Sequence, residues 1–259
     1  MLVKIKEKNY ICNRKEKGIY QINVINMKKK AWIYLGIISC LLLNSCNAPK
    51  NSSVEIPICN NAITIDGTAN EWKQKIFVSQ LIAPWHNMEK DQTEIYLCHD
   101  KKNLYFLFKV KDTKLVYGTE EGEMSVNYSD RVELFICKND KMETYYCAEV
   151  DPNGKVLDYT AYFHRKFDFE WDLDQLQTAT SMQEDGYTVE GALPLDWLQK
   201  NNILSSNGEF YLGLFRANAS DPTKEETIVW LTWNIPDAKE PDFHIPSSLR
   251  KVQLQDFKQ

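Results

Sequence analysis

Histidine is scarce in this chain. Four occur among 259 residues (His86, His99, His164 and His244), and no two stand at the spacing of zinc ligands. There is no Gly-rich phosphate loop and no Gly-x-Ser-x-Gly elbow, which removes the P-loop enzymes and the elbow hydrolases. A cysteine nucleophile needs a histidine partner, and no local pattern supplies one. Long apolar runs are missing as well. The main one, Ala31 to Leu43, has 13 residues, too short to be comfortable as a membrane span. Helical periodicity is almost absent, and there is no internal repeat or low-complexity block.

Charge is present but unevenly placed. Residues 1–45 hold nine Lys/Arg and two acids, which leaves 22 basic and 34 acidic residues from Cys46 onward, a formal charge of −12. Such a surface repels phosphate backbones and argues against nucleic acid as a partner. Met27-Lys-Lys-Lys30 followed by the apolar stretch has the basic and hydrophobic regions of a signal peptide. Leu43-Asn-Ser-Cys46 is similar to a bacterial lipobox, where the cysteine is acylated and the chain is cut just before it. Residues 1–26 are expected to precede the true start at Met27. Residues 27–45 read as a lipoprotein signal peptide, Cys46 as the lipidation site and 46–57 as a polar tether. A lipid anchor to the membrane of the cell envelope, at the outer membrane, follows from that reading.

Four further cysteines, Cys59, Cys98, Cys137 and Cys147, lie beyond Cys46. They allow three disulfide pairings, and sequence does not choose among them. None of the spacings is a metal knuckle. The plain reading is small buried apolar residues on strands.

Residues 58–257 read as one all-β domain. Roughly ten short strands stand between turns, which argues for an antiparallel sandwich of jelly-roll kind. They include Ala62 to Asp66, Glu94 to Cys98, Leu104 to Val110, Arg131 to Cys137, Tyr145 to Val150 and Val156 to Phe163. Tyr187 to Leu193, Glu209 to Ala217, Thr227 to Trp233 and Val252 to Leu254 complete the set. One or two short helices are expected, one of them starting at Pro194.

Several segments, in order, resemble the family 9 carbohydrate-binding modules. They are Ile65-Asp-Gly67 with Glu71-Trp72, Asp100-Lys-Lys-Asn-Leu-Tyr-Phe106, Asp130-Arg-Val-Glu-Leu-Phe135, Asp151-Pro-Asn-Gly154, Gly186-Tyr-Thr-Val-Glu190 and Phe243-His-Ile-Pro246. The resemblance implies a jelly-roll sandwich that binds mono- and oligosaccharides without cutting them. It also leaves calcium open as a cofactor, since several members carry it. In those members the Glu of Asp-x-Val-Glu hydrogen-bonds sugar hydroxyls; here it is Glu133. They clamp the sugar between two tryptophans. Where the first is expected this chain has Asn127-Tyr128, and Phe243 or Trp233 is nearest the second. An arginine that helps bind sugar in those members is matched here by Glu149.

Side-chain alternation gives an independent reading of the central hairpin. Matching its apolar rows sets Val132 opposite Val150 and Leu134 opposite Ala148. Glu133 then faces Glu149, and Arg131 faces Asp151 as a favourable pair. Opposed carboxylates repel unless something relieves them. A cation such as calcium, Arg216 from another strand, a shared proton or sugar hydroxyls would do so. A sugar site also needs aromatic rings, because sugar faces carry C–H groups that stack on them. Trp72 and Trp197, in short helical segments, read as core. Trp230 and Trp233 are three apart, so they face opposite ways. The expected binding set is Glu133, Glu149, Arg131 and Arg216 for polar contacts, Tyr128, Trp85, Trp233 and Phe243 for stacking, and His244 close by. The function expected is carbohydrate binding by an envelope lipoprotein engaged in polysaccharide use. The alternatives are an interaction lipoprotein that lost the sugar site, or an accessory or hydrolase of polysaccharide breakdown.

Overall fold

The computed structural model describes residues 53–73, 76–86 and 92–258. The segment 27–45, Cys46 and most of the stretch read as a tether lie outside them. Thirteen strands and one α-helix are formed among the described residues. In chain order they are β1 (Val54–Ile56), β2 (Phe77–Gln80), β3 (Thr93–His99), β4 (Asn103–Lys111), β5 (Arg131–Cys137), β6 (Thr144–Val150) and β7 (Val156–Tyr162). There follow β8 (Lys166–Asp168), β9 (Gln177–Gln183), β10 (Gly186–Pro194), α1 (Leu195–Lys200), β11 (Glu209–Asn218), β12 (Val229–Thr232) and β13 (Arg250–Leu254). One sheet runs β1-β13-β11-β5-β6-β7-β8, with β12 also paired to β11. The other runs β2-β3-β4-β10-β9. The fold is the expected β-sandwich.

The main core lies between the sheets. Val132, Leu134 and Ile136 of β5 meet Leu104, Phe106, Phe108 and Val189 of the facing sheet there. Gly191 of β10 makes room for this packing: a Cβ on it would lie 2.1 Å from the Phe106 ring. The odd-numbered side chains of β5 are buried too, because loops cover the outer face of the first sheet. Phe135 and Cys137 pack there with Tyr145, Leu157, Phe215, Phe243 and Leu249. The Arg131–Cys137 strand is therefore buried on both faces.

A third apolar layer covers the outer face of the second sheet. Trp72, Cys98, Tyr105 and Leu107 pack with Cys59, Ile63 and Ile65. This layer explains one departure from expectation. The stretch Ala62 to Asp66 is no strand; its isoleucines lie across the sheet instead of pairing in it. Glu190 ties it down: its carboxylate accepts the N–H groups of Asp66 and Gly67 at 2.9 Å and the Trp72 indole N–H at 2.7 Å. A disulfide joins Cys59 to Cys98, while Cys137 and Cys147 are buried free thiols.

Other differences have local causes. β1, paired in parallel with β13, lies inside the stretch read as tether, where Val54 and Ile56 alternate around Glu55 but flanking Ser and Pro mask the pattern. β8 and β9 are too short or too polar to stand out. The helix begins at Leu195 with Pro194 as its cap residue, one residue later than the proline suggested.

Candidate functional site

The register of β5 decides what reaches the outer face. Glu133 stands opposite Glu149 on one side and Phe215 on the other, and Glu149 stands opposite Leu157. Cross-strand partners share a face, so one row crosses the sheet: Phe215, Glu133, Glu149, Leu157. The next row holds Trp230, Ala217 and Arg131. Here the covering loops leave a pocket of about 340 Å³.

Its floor is ionic. Arg131 Nε lies 2.6 Å from Glu149 Oε2 and 3.0 Å from Glu133 Oε1. Arg131 Nη1 donates to the Asn127 carbonyl at 2.9 Å, and the guanidinium lies 5.2 Å from the Trp230 ring centre. The Tyr159 hydroxyl donates to Glu149 Oε1 at 2.9 Å. All four side chains are buried. Two carboxylates thus converge on one guanidinium, and the site holds either a surplus negative charge or a proton. Burial, reinforced by the Glu149 charge and opposed by Arg131, raises the Glu133 pKa to about 8. Burial works against the Arg131 charge, but the Glu149 and Glu133 carboxylates more than offset it, so its pKa is raised. At neutral pH the floor therefore presents a carboxyl proton as well as carboxylate acceptors.

The walls are aromatic. Phe243 stacks on Phe215 with centres 4.0 Å apart and meets Trp230 edge-on at 5.5 Å. His244 packs between Phe135 and Phe167, and its Nδ1 lies 3.0 Å from the Tyr145 hydroxyl. Burial, aided by the nearby Arg165, His164 and Arg131 charges, lowers the His244 pKa to about 3, so the ring is neutral. Tyr128 lines the pocket from the 3-10 turn Glu123–Tyr128. At the rim Arg165 donates to Asp242 at 2.8 Å.

Of the expected residues, Glu133, Glu149, Arg131, Tyr128, Phe243 and His244 come together here. Trp85 does not line the pocket; it backs Phe243 at 5.9 Å and donates its indole N–H to the Ala238 carbonyl. Two are placed elsewhere. Arg216 stands opposite Val132 and so points into the core, 2.6 Å from Asp112 and 3.5 Å from Asp130. Trp233 is buried in the main core between Phe77 and Arg250. Trp230, three residues earlier and so on the opposite face, is the tryptophan that lines the pocket. The expected Arg131–Asp151 pair gives way to Arg131–Glu149; Asp151 instead accepts the N–H groups of Asn153 and Lys155 at 2.9 Å. Tyr159, Phe167 and Phe169 also line the pocket. Nothing local in the sequence distinguished them from ordinary strand residues.

One acidic group among the described residues has metal-ligand spacing. Glu123, Asp158 and Asp172 bring carboxylate oxygens within 4.8 Å of one another. Oxygen donors suit a hard cation such as calcium, although calcium takes six to eight of them. Asp158 already accepts the Leu173 N–H at 2.9 Å.

Comparison with known proteins agrees with this architecture. Over an alignment of 161 positions, which covers 58% of this chain, the sequence is 27% identical to endo-1,4-beta-xylanase A of Thermoanaerobacterium saccharolyticum, of whose length it spans 13%. A candidate carbohydrate-binding protein from Bacteroides uniformis superposes with a TM-score of 0.58 at 16% identity, covering 78% of this chain and 97% of that one. A family 9 module from Caldicellulosiruptor kristjanssonii, solved with cellotriose, superposes at 0.55 with 18% identity, covering 78% and 93%. Residues 65–256 match the family described as carbohydrate family 9 binding domain-like, and the chain belongs to that family.

Proposed function

We propose that this protein is a lipid-anchored carbohydrate-binding protein of the cell envelope, and that the pocket over Arg131, Glu133 and Glu149 holds a neutral sugar without cutting it. One observation carries the reading: a buried ionic floor with a surplus carboxyl group lies at the base of a pocket walled by aromatic rings. Sugar hydroxyls both donate and accept, so they suit a floor that offers both. Sugar C–H faces suit the rings of Trp230, Phe243 and Tyr128.

The disposition of the acids supports binding without cleavage. A glycosidase sets its carboxyl groups on either side of the scissile bond, roughly 5–9 Å apart. Glu133 and Glu149 rise side by side from paired strands and share one guanidinium nitrogen. The lipobox-like Leu43-Asn-Ser-Cys46 supports the anchor. The Cys59–Cys98 disulfide supports an oxidising compartment outside the cytosol.

Few groups are buried on binding one ring, so Kd is expected on the order of μM to mM. Calorimetric titration against a panel of neutral glycans, with wild type and Glu133→Gln, tests the proposal. Wild type binds, and Glu133→Gln binds at least about tenfold more weakly with an unchanged melting temperature. A folded wild type that is silent across the panel overturns the proposal and favours an interaction lipoprotein.

A further inference from the structure

The pocket has one side that the ionic floor does not explain. Strand β8 is the edge of the first sheet, three residues long, and Phe167 on it stands opposite Ala161. Ala161 packs on the outer face, so Phe167 faces outward with it. Phe169, two residues on, returns to the same face. The two rings lie 5.6 Å apart, and Tyr159 meets them at 5.4 and 5.0 Å. Both line the pocket, yet they are 38% and 42% exposed.

Two adjacent phenylalanines left this open lose much of the gain that burial would give them. Stability alone does not call for them on a short edge strand, where polar residues are the usual choice. Their backing is specific: Tyr159 supports both rings and donates to Glu149 of the floor. Wall and floor are built on one side chain. We propose that Phe167 and Phe169 form a stacking wall for a second sugar ring. The site then takes a neutral oligosaccharide, with one ring over Arg131, Glu133 and Glu149 and the next along the wall.

This rests on the sugar-binding reading and adds chain-length selectivity to it. The ligand is neutral because acids outnumber bases around it. Glu133, Glu149, Glu225 and Asp242 line the pocket against Arg131 and Arg165, and Arg165 is held by Asp242. A uronate would meet a like charge. Phenylalanine offers no hydrogen bond, so the wall recognises the apolar face of a ring.

Calorimetry with glucose, cellotriose and a panel of neutral mono- to hexasaccharides tests the proposal on wild type, Phe167→Ala/Phe169→Ala and Tyr162→Ala. Tyr162 is equally open, at 47%, but sits on the opposite face of β7 from Ala161. In wild type the trisaccharide of the preferred sugar binds about tenfold tighter than its monosaccharide, a difference of about 1.4 kcal/mol. The double variant loses most of that ratio, and Tyr162→Ala keeps it. If the alanine variant melts early, Phe167→Leu/Phe169→Leu, which keeps apolar volume but removes the flat face, is expected to lose the ratio in the same way. Equal affinity for mono- and trisaccharide in wild type, or a ratio that survives both double variants, overturns the wall while the sugar site stands. A folded wild type that binds no glycan overturns both. Loss of self-association or protein capture in the double variants, with glycan ratios unchanged, would make the exposed rings a protein contact and overturn the wall.

Discussion

At the scale of single residues, the pocket turns on an imbalance of charge. A buried carboxylate is tolerated when paired, and here two share Arg131 Nε. Removing the arginine strands both. Arg131→Met is expected to lose about 3–5 kcal/mol in denaturant unfolding, whereas Glu133→Gln leaves a balanced Arg131–Glu149 pair and stability close to wild type. The same imbalance sets a pH dependence. The folded protein holds the Glu133 proton up to about pH 8, and the unfolded chain releases it near 4.5. More protons are bound in the folded state across that window, so this contribution to stability is complete below it and lost as pH rises through it. Asp130, raised to about 6 by burial, slopes the same way at lower pH, and His244, lowered to about 3, opposes it up to about 6.5. Above about pH 6.5 Glu133 dominates. The denaturation midpoint of wild type is expected to fall between about pH 6.5 and 8.5 relative to Glu133→Gln, whose profile is flatter there. The facing of Glu133 and Glu149 was legible in the sequence because both lie in one hairpin, where apolar parity sets the register. That Arg131 joins them was not, since Asp151 stood opposite it by the same parity. A side chain two residues from Glu133 on the same face was the available signal.

At the scale of elements, coverage matters as much as pairing. The outer face of the first sheet is closed by the segment carrying Phe243 and His244 and by the turn before β5. These close around the ionic floor and leave the pocket open. The outer face of the second sheet is closed by residues 58–73, with the Cys59–Cys98 disulfide as their staple. The Ile65-Asp-Gly67 segment serves this closure. Gly67, at φ 79°, turns the chain so that its N–H meets Glu190, and a Cβ there would lie 2.7 Å from the Thr180 backbone. Cys59 and Cys98 are 39 residues apart. Replacing both with serine is expected to lower unfolding free energy by about 2–4 kcal/mol and to abolish any effect of reductant; a wild type indifferent to reductant would contradict the staple. Strand parity explains the two misplaced candidates. Arg216 depends on how β11 registers against β5, a pairing of residues 74 to 86 apart in the chain, and Trp233 on how the chain after β11 turns back onto it as β12, 11 to 17 residues away.

For the whole molecule, the sandwich and the proposed lipid attachment are separable. If Cys46 carries the lipid, Cys46→Ser is expected to abolish incorporation of labelled fatty acid and to release the protein from the membrane fraction, while glycan affinity stays as in wild type. Retention of the label would place acylation elsewhere. The amino-acid sequence by itself determined the β-sandwich class, the acidic surface, the central hairpin and its facing glutamates, because alternation and turn residues act over a few positions. Tertiary structure alone decided which tryptophan meets the pocket, which arginine neutralises its floor, which cysteines pair and where the phenylalanine wall stands. Each of these depends on distant strands coming into register and on loops folding over a sheet face, and no short-range pattern encodes either.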